Sequence, residues 1–139
     1  MINSRKIDDL LPVVATKARA LIAAAKREGI ELLVTSTYRD AECQDALYAQ
    51  GRTKPGRRVT NARGGQSWHQ YRVAFDVVPL VAGKAIWDDR RIWTRISELG
   101  ESVGLEWAGR WKSFPESPHF QFTGGLTMAQ LKQAKQPSD

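Results

Sequence analysis

Ser67-Trp68-His69-Gln70-Tyr71-Arg72-Val73-Ala74-Phe75-Asp76 is a polar turn that runs into an apolar strand, and the fold and chemistry of the chain hinge on it. From Val73 to Val78 a period of two places Val73, Phe75 and Val77 on one face and Ala74, Asp76 and Val78 on the other. Asp76 is therefore expected inside a core or at its lip. Burying a carboxylate there alone costs several kcal/mol or forces protonation, so Asp76 requires a cation, a metal or several donors.

Upstream of this strand, Gly51 to Arg72 reads as a basic loop. It holds six basic residues (Arg52, Lys54, Arg57, Arg58, Arg63, Arg72), four glycines and no acid. Before it, Pro12 to Glu28 carries Val14, Ala18, Leu21, Ile22 and Ala25 at helical spacing, with Pro12 suited to the first turn and Gly29 to the C-terminal cap. A short helix is expected over Ser4 to Leu11, a buried strand over Ile30 to Thr35, and a helix capped by Asp40 that runs to about Ala49. Downstream, a turn at Ala82-Gly83 precedes a helix over Asp88 to Val103, whose apolar face is Ile92, Trp93, Ile96, Leu99 and Val103. Trp87 and Trp93 read as helix or helix-edge core residues. His119 to Phe122 reads as a short strand, and Thr127 caps a final short helix. No repeat, low-complexity tract or linker divides the chain, so 1–139 reads as a single domain.

The chain has 139 residues, 21 Lys and Arg against 15 Asp and Glu, and a formal net charge of +6. An anionic partner follows from that charge, and the basic loop is the surface expected to meet it. Arg57, Arg58 and Arg63 are the candidates for contact with an anionic wall or membrane. The sequence lacks a recognition helix or an aromatic-basic strand motif, so nucleic acid is not the expected partner. Cys43 is the only cysteine, which excludes an internal disulfide and an all-cysteine metal site, and the thiol reads as inert. The N-terminal residues carry charges rather than a signal-type apolar segment, and no run approaches the ~20 apolar residues of a membrane span. A soluble product of the cytoplasm, and a monomer, is the expectation.

His69 and His119 are the only histidines, and each lies near a carboxylate in sequence, Asp76 and Glu116. Two imidazoles and one carboxylate make a three-ligand zinc set with a fourth position open for water. Spacing alone does not bring them together, and a loop histidine with a hydrogen-bonded strand histidine satisfies the same pattern.

The run Ser67 to Asp76 resembles the Ser-x-His-x-x-Gly-x-Ala-x-Asp signature of the M15 zinc peptidases, which include the VanY-type D-alanyl-D-alanine carboxypeptidases and the phage L-alanyl-D-glutamate endopeptidases. Thr35-Ser36-Thr37-Tyr38-Arg39-Asp40 is similar to the family's Ser-x-Tyr-Arg turn. Gly51 to Gly56, Val59 to Ala62 and Gly64 to Ser67 look like the endolysin branch, and Glu106-Trp107 with Trp111, Phe114 and Pro118-His119-Phe120-Gln121 looks like the C-terminal ligand motif. The resemblance spans about Ile30 to Phe122. It implies an α+β fold of the hedgehog/DD-peptidase type, a small antiparallel sheet packed by helices. It further implies Zn2+ held by His69, Asp76 and His119, with Glu116 as general base and Arg39 binding a substrate oxygen or developing charge. Ser67, Arg72 and Trp107 are the candidates for substrate contact or for support of the site, with Ser67 expected in local loop bonding.

The implied activity is cleavage of bacterial peptidoglycan stem peptides, most like an L-alanyl-D-glutamate endopeptidase of a phage or prophage, held in the host cytoplasm until lysis and lacking a separate wall-binding domain. A D-alanyl-D-alanine carboxypeptidase with the same metal chemistry is the enzymatic alternative, and a basic wall- or nucleic-acid-binding module the non-enzymatic one. One departure stands out: Arg72 occupies the signature glycine, a position that normally signals close approach or positive φ. Arg72 is therefore expected to modify the rim of the site or its substrate contacts.

Overall fold

A computed structural model describes residues 1–138. Helix α1 (Pro12–Arg27) begins with proline at its first position and buries Val14, Ala15, Ala18, Leu21 and Ala25 along one face. Strand β1 (Glu31–Ser36) follows, then α2 (Ala41–Ala49), whose cap is Asp40 accepting from the Cys43 amide at 2.8 Å. A 3-10 turn over Trp68–Tyr71 leads into β2 (Ala74–Val81), and β3 (Lys84–Ala85) hairpins back onto its end. Helix α3 (Arg90–Ser102) is capped by Asp89 and precedes β4 (Glu106–Trp107), β5 (His119–Gln121) and α4 (Met128–Lys132).

The sheet is antiparallel throughout, in the order β1-β2-β5-β4 with β3 on the far end of β2. Its central strand β2 is buried on both faces, which explains why the alternation at Val73 to Val78 contains almost no polar residue. Phe75 and Phe120, cross-strand partners, stack with centroids 6.1 Å apart, packed with α1 and α3 in one apolar cluster. Gly100 of α3 makes this possible, since a Cβ there would stand 2.6 Å from the Phe120 ring. This is the α+β architecture of helices packed on a small antiparallel sheet.

Two features place polar groups at one end of the sheet. The β1–β2 register slips between Val34 and Ser36, so Ser36 stands opposite Asp76. On the other side of β2, Asp76 pairs with His119 of β5. Directly opposed residues project to the same face with their Cβ atoms about 5 Å apart, so strand pairing alone brings carboxylate and imidazole together.

Several expectations need correction. The helix over Ser4 to Leu11 shrinks to one 3-10 turn, Ile7–Asp9, because the preceding residues pair with the chain after β1: Thr37 donates to the Ser4 carbonyl at 2.7 Å and Ser4 to that of Tyr38 at 2.8 Å. Trp87 is 51% exposed rather than part of the core. Strands β3 and β4, two residues each, carry no periodic signal and owe their existence to the strands they pair with. Among the described residues, no helix is long and apolar enough to cross a membrane.

Arg72 sits at φ 63°, ψ 27°, in the left-handed region that the signature glycine would occupy without strain. The guanidinium donates to the Asp9 carbonyl at 2.9 Å and lies 3.9 Å from the Tyr38 ring centroid. Arg72 is thus a clamp on the N-terminal segment and does not border the cleft described below, contrary to its expected place at the rim. Arg72→Ala keeps the backbone strain and loses both contacts, and is expected to destabilise by about 1–2 kcal/mol. Arg72→Gly loses the contacts but relieves the strain, so its urea midpoint should lie above that of the alanine variant. Equal midpoints would show that the left-handed backbone carries no cost here.

Candidate metal centre

His69, Asp76 and His119 converge with one ligand atom of each within 4.8 Å of the others. Asp76 is the hub: its Oδ1 lies 3.2 Å from His69 Nε2 and 3.3 Å from His119 Nδ1. Ligands about 2.0–2.1 Å from one ion at tetrahedral angles stand roughly 3.3 Å apart, so the two spacings to Asp76 match those of a shared zinc-sized ion, and the third edge of the triangle is within 4.8 Å. The imidazoles meet edge to face, with centroids 5.0 Å apart and planes at 79°.

The other nitrogen of each ring is held from behind. His69 Nδ1 lies 2.7 Å from the Thr37 carbonyl, which can only accept, so the proton sits on Nδ1 and Nε2 presents its lone pair. His119 Nε2 donates to Gln121 Oε1 at 2.8 Å, leaving Nδ1 toward Asp76. The two histidines therefore use opposite nitrogens, each fixed by a partner of the kind that orients metal-binding imidazoles. Gln121 was readable by period two, since it follows His119 on the same strand and face. The Thr37 carbonyl gave no sequence signal.

Ser67 supports His69 through the backbone. Its Oγ accepts from the His69 amide at 3.3 Å, and its own amide donates to Gln70 Oε1 at 3.0 Å, a reciprocal cap on the 3-10 turn. Arg39 is buried beside Asp76. Its Nη1 donates to Gln44 Oε1 at 2.8 Å, its Nη2 to Ser36 Oγ at 3.1 Å and to Asp76 Oδ2 at 3.4 Å, and its Nε has no partner. Gln44, fully buried on α2, also donates to the Ala62 carbonyl at 2.8 Å, tying Arg39 to the basic loop. Sequence reading passed over Gln44, although a glutamine on the covered side of a short helix signals a buried polar network.

These groups shape one another's protonation. Burial pushes the Asp76 carboxyl upward, but the positive charge and N–H donors that the two imidazoles present when protonated outweigh it and hold the carboxyl well below the ordinary range. Burial dominates at His69 and lowers its pKa. At His119 the lowering by burial is outweighed by Asp76 and Glu116, and the pKa rises. Glu116 is raised, chiefly by desolvation. Once His119 gives up its proton, a carboxylate flanked by two imidazole lone pairs suits a divalent cation, which binds in exchange for that proton.

The cluster lines a cavity of about 430 Å³ with Arg39, Glu116, Trp68, Trp111 and loop residues Val59, Thr60 and Ala62. Trp111 lies 5.2 Å from the His119 ring. A second cavity of about 230 Å³ shares Thr60, Ala62, Gln66, Trp111 and Glu116 with the first and continues to Ser113 and Phe114. Glu116 thus stands where two depressions meet. Trp107 lies outside both. Its indole N–H donates to the Ser117 carbonyl at 2.8 Å and so anchors the segment that bears Glu116 and His119. In the basic loop Arg52 is structural, donating to the carbonyls of Tyr48 and Thr60, whereas Arg57, Arg58 and Arg63 are exposed. Cys43 is buried on α2, and desolvation raises its thiol pKa.

The family model described as D-alanyl-D-alanine carboxypeptidase matches residues 60–122, a span holding the cluster and Glu116. The chain is 41% identical over 122 residues to the peptidoglycan L-alanyl-D-glutamate endopeptidase CwlK of Bacillus subtilis (strain 168), covering 81% of this chain and 73% of that protein. It is 32% identical over 108 residues to the L-alanyl-D-glutamate peptidase of Listeria phage A118, covering 76% of this chain but only 35% of the phage protein. The fold is that of the Serratia marcescens L-Ala D-Glu endopeptidase ChiX, at a TM-score of 0.64 and 22% identity over 84% of this chain and 83% of that one. It is equally that of the D,D-pentapeptidase VanY from the VanB-type resistance cassette, whose structure contains Zn(II), at a TM-score of 0.63 and 17% identity over 89% and 76% of the two chains. The extended identity to the Bacillus protein, together with a two-histidine, one-carboxylate cluster able to hold a metal ion, establishes that the chain belongs to the M15 family of zinc metallopeptidases that act on peptidoglycan.

Proposed function

We propose that this protein cleaves the L-alanyl-D-glutamate bond of peptidoglycan stem peptides, with His69, Asp76 and His119 holding zinc, Glu116 as general base and acid, and Arg39 stabilising charge on the substrate. The observation that carries the chemistry is the convergence of the three ligand atoms beside a half-buried carboxylate in one cavity. The bond assignment is supported by two relatives above 30% identity that are named for L-alanyl-D-glutamate cleavage. A cleft continuing past Glu116 on two sides also suits an internal bond.

When bound, zinc supplies Lewis acidity, which makes water a stronger acid and polarises a carbonyl. Glu116, with its pKa raised by burial, takes the proton of the attacking water and returns it to the departing amine. Arg39, fixed by Gln44 and Ser36, holds positive charge beside the reacting carbonyl without reorganising. Ser67 and Trp107 position the backbone on either side, and Arg72 has no part in the chemistry.

A phage or prophage role in host lysis, with the enzyme held in the cytoplasm until the membrane opens, is the biological setting we infer; the Listeria phage relative supports it. Exposed Arg57, Arg58 and Arg63 would then draw the protein to the anionic wall. Arg57→Ala/Arg58→Ala is expected to weaken sedimentation with purified cell walls several-fold at low salt and little at high salt. A loss independent of salt would point away from electrostatics.

The second reading, a D-alanyl-D-alanine carboxypeptidase, is favoured by the description of the matching family model. Digestion of purified peptidoglycan, with identification of the new termini, separates the two. New D-glutamyl amino termini support the endopeptidase, and free D-alanine alone overturns it.

A further inference from the structure

We propose that a groove beside the active cleft, walled by Trp87 and Trp107, is a saccharide site that seats the glycan strand to which the stem peptide is attached. The inference rests on the bond assignment above, because cleavage after the first stem residue leaves one amino acid and its linking acyl group between the reacting carbonyl and the sugar. At about 3.3–3.6 Å per unit of extended chain, the sugar must lie within roughly 10 Å of that carbonyl. The enzyme has to accommodate it on a surface next to the cleft.

The groove has a volume of about 470 Å³, within the range of small-ligand sites, and combines Trp87, Trp93 and Trp107 with Asp88, Arg90, Thr94 and Ser117. A pyranose ring presents an apolar face of C–H groups and a rim of hydroxyls. Indole faces match the first, and a carboxylate, a guanidinium and hydroxyls match the second. Trp87 is the one aromatic among the large exposed apolar side chains of the described residues, so it offers a face for which the fold itself supplies no cover.

The aromatic walls are built rather than incidental. Trp93, buried on α3, donates its indole N–H to the Trp87 carbonyl at 2.8 Å and fixes the backbone that carries the exposed ring. Trp107 is fixed by its bond to the Ser117 carbonyl. Its ring is seated against Gly109, where an added Cβ would stand 2.1 Å from it, so a side chain at that position would displace the ring.

Continuity with the cleft comes from the bent segment between Ser113 and Ser117, whose backbone turns at Phe114 with a left-handed φ of 50°. Ser113, Phe114 and Glu116 line the cleft side, while Pro115 and Ser117 line the groove. The wall between the proposed base and the saccharide site is therefore a single segment of chain. A stem peptide entering the cleft over this wall would leave its sugar on Trp87.

The test compares a disaccharide-linked stem peptide with the same peptide lacking sugar, using the zinc-loaded full chain and its Trp87→Ala and Trp87→Phe variants. Trp87→Ala is expected to raise KM for the sugar-linked peptide about tenfold relative to the sugar-free one, and Trp87→Phe to restore most of the difference. N-acetylglucosamine tetrasaccharide, titrated calorimetrically, should bind the wild type and lose at least tenfold in affinity with Trp87→Ala. Equal KM changes on both peptides, or tetrasaccharide binding indifferent to Trp87, would overturn the saccharide site. If the wild type cleaves neither peptide, the bond assignment fails, and the tetrasaccharide titration still decides the groove.

Discussion

Glu116→Gln is expected to lower turnover of peptidoglycan by about a thousandfold while zinc remains bound at one equivalent, since a positioned general base contributes about 10²–10⁴. Glutamine keeps the shape of the side chain and removes only its capacity to take a proton. Glu116 is not one of the three clustered ligand groups, so metal content should not fall. Its environment is what a base near neutrality needs: desolvation raises its pKa, and it stands where two depressions of the cleft meet. Stopped-flow or end-point turnover, with metal analysis of the same sample, checks both halves. Turnover within a few-fold of wild type would remove Glu116 from the reaction, and loss of zinc would make it a ligand instead.

The other large effect is expected at Asp76. It is the shared neighbour of both imidazoles and of Arg39, so Asp76→Ala removes the central donor and leaves a buried guanidinium without its carboxylate. Zinc affinity should fall by at least a hundredfold and hydrolysis with it. The wild type should also be stabilised by the metal, by about 2.7 kcal/mol at a zinc concentration one hundred times Kd, because the cluster is assembled only in the folded chain. Thermal unfolding with and without zinc measures this directly. The wild type should shift upward and Asp76→Ala should not; a variant that shifts equally would show that zinc binds elsewhere.

Asp76 was legible because strand alternation and the cost of a bare buried carboxylate are both local facts. Its meeting with His119 was not, since it depends on the register of β2 against β5, a pairing across more than forty residues. Family resemblance named the same residues, and the strand register supplies the physical reason they meet. Helices α1, α2 and α3 were readable from periodicity and caps within a residue or two. The N-terminal segment was not, because pairing with Thr37 and Tyr38 wins over its weak helical preference. Arg72 divided in two. Its backbone obeys the rule that put glycine in the signature, and its side chain is directed by Asp9 and Tyr38, partners far away in sequence. Trp87 was misjudged for a related reason: an aromatic beside a helix reads as core unless the tertiary structure leaves its face open.

The most direct measurement is hydrolysis of purified peptidoglycan by metal-free protein titrated with zinc. Activity should rise in proportion to added zinc and level off at one equivalent, with the plateau lost on chelation. Activity indifferent to zinc, or none at one full equivalent, would contradict a catalytic zinc held by His69, Asp76 and His119.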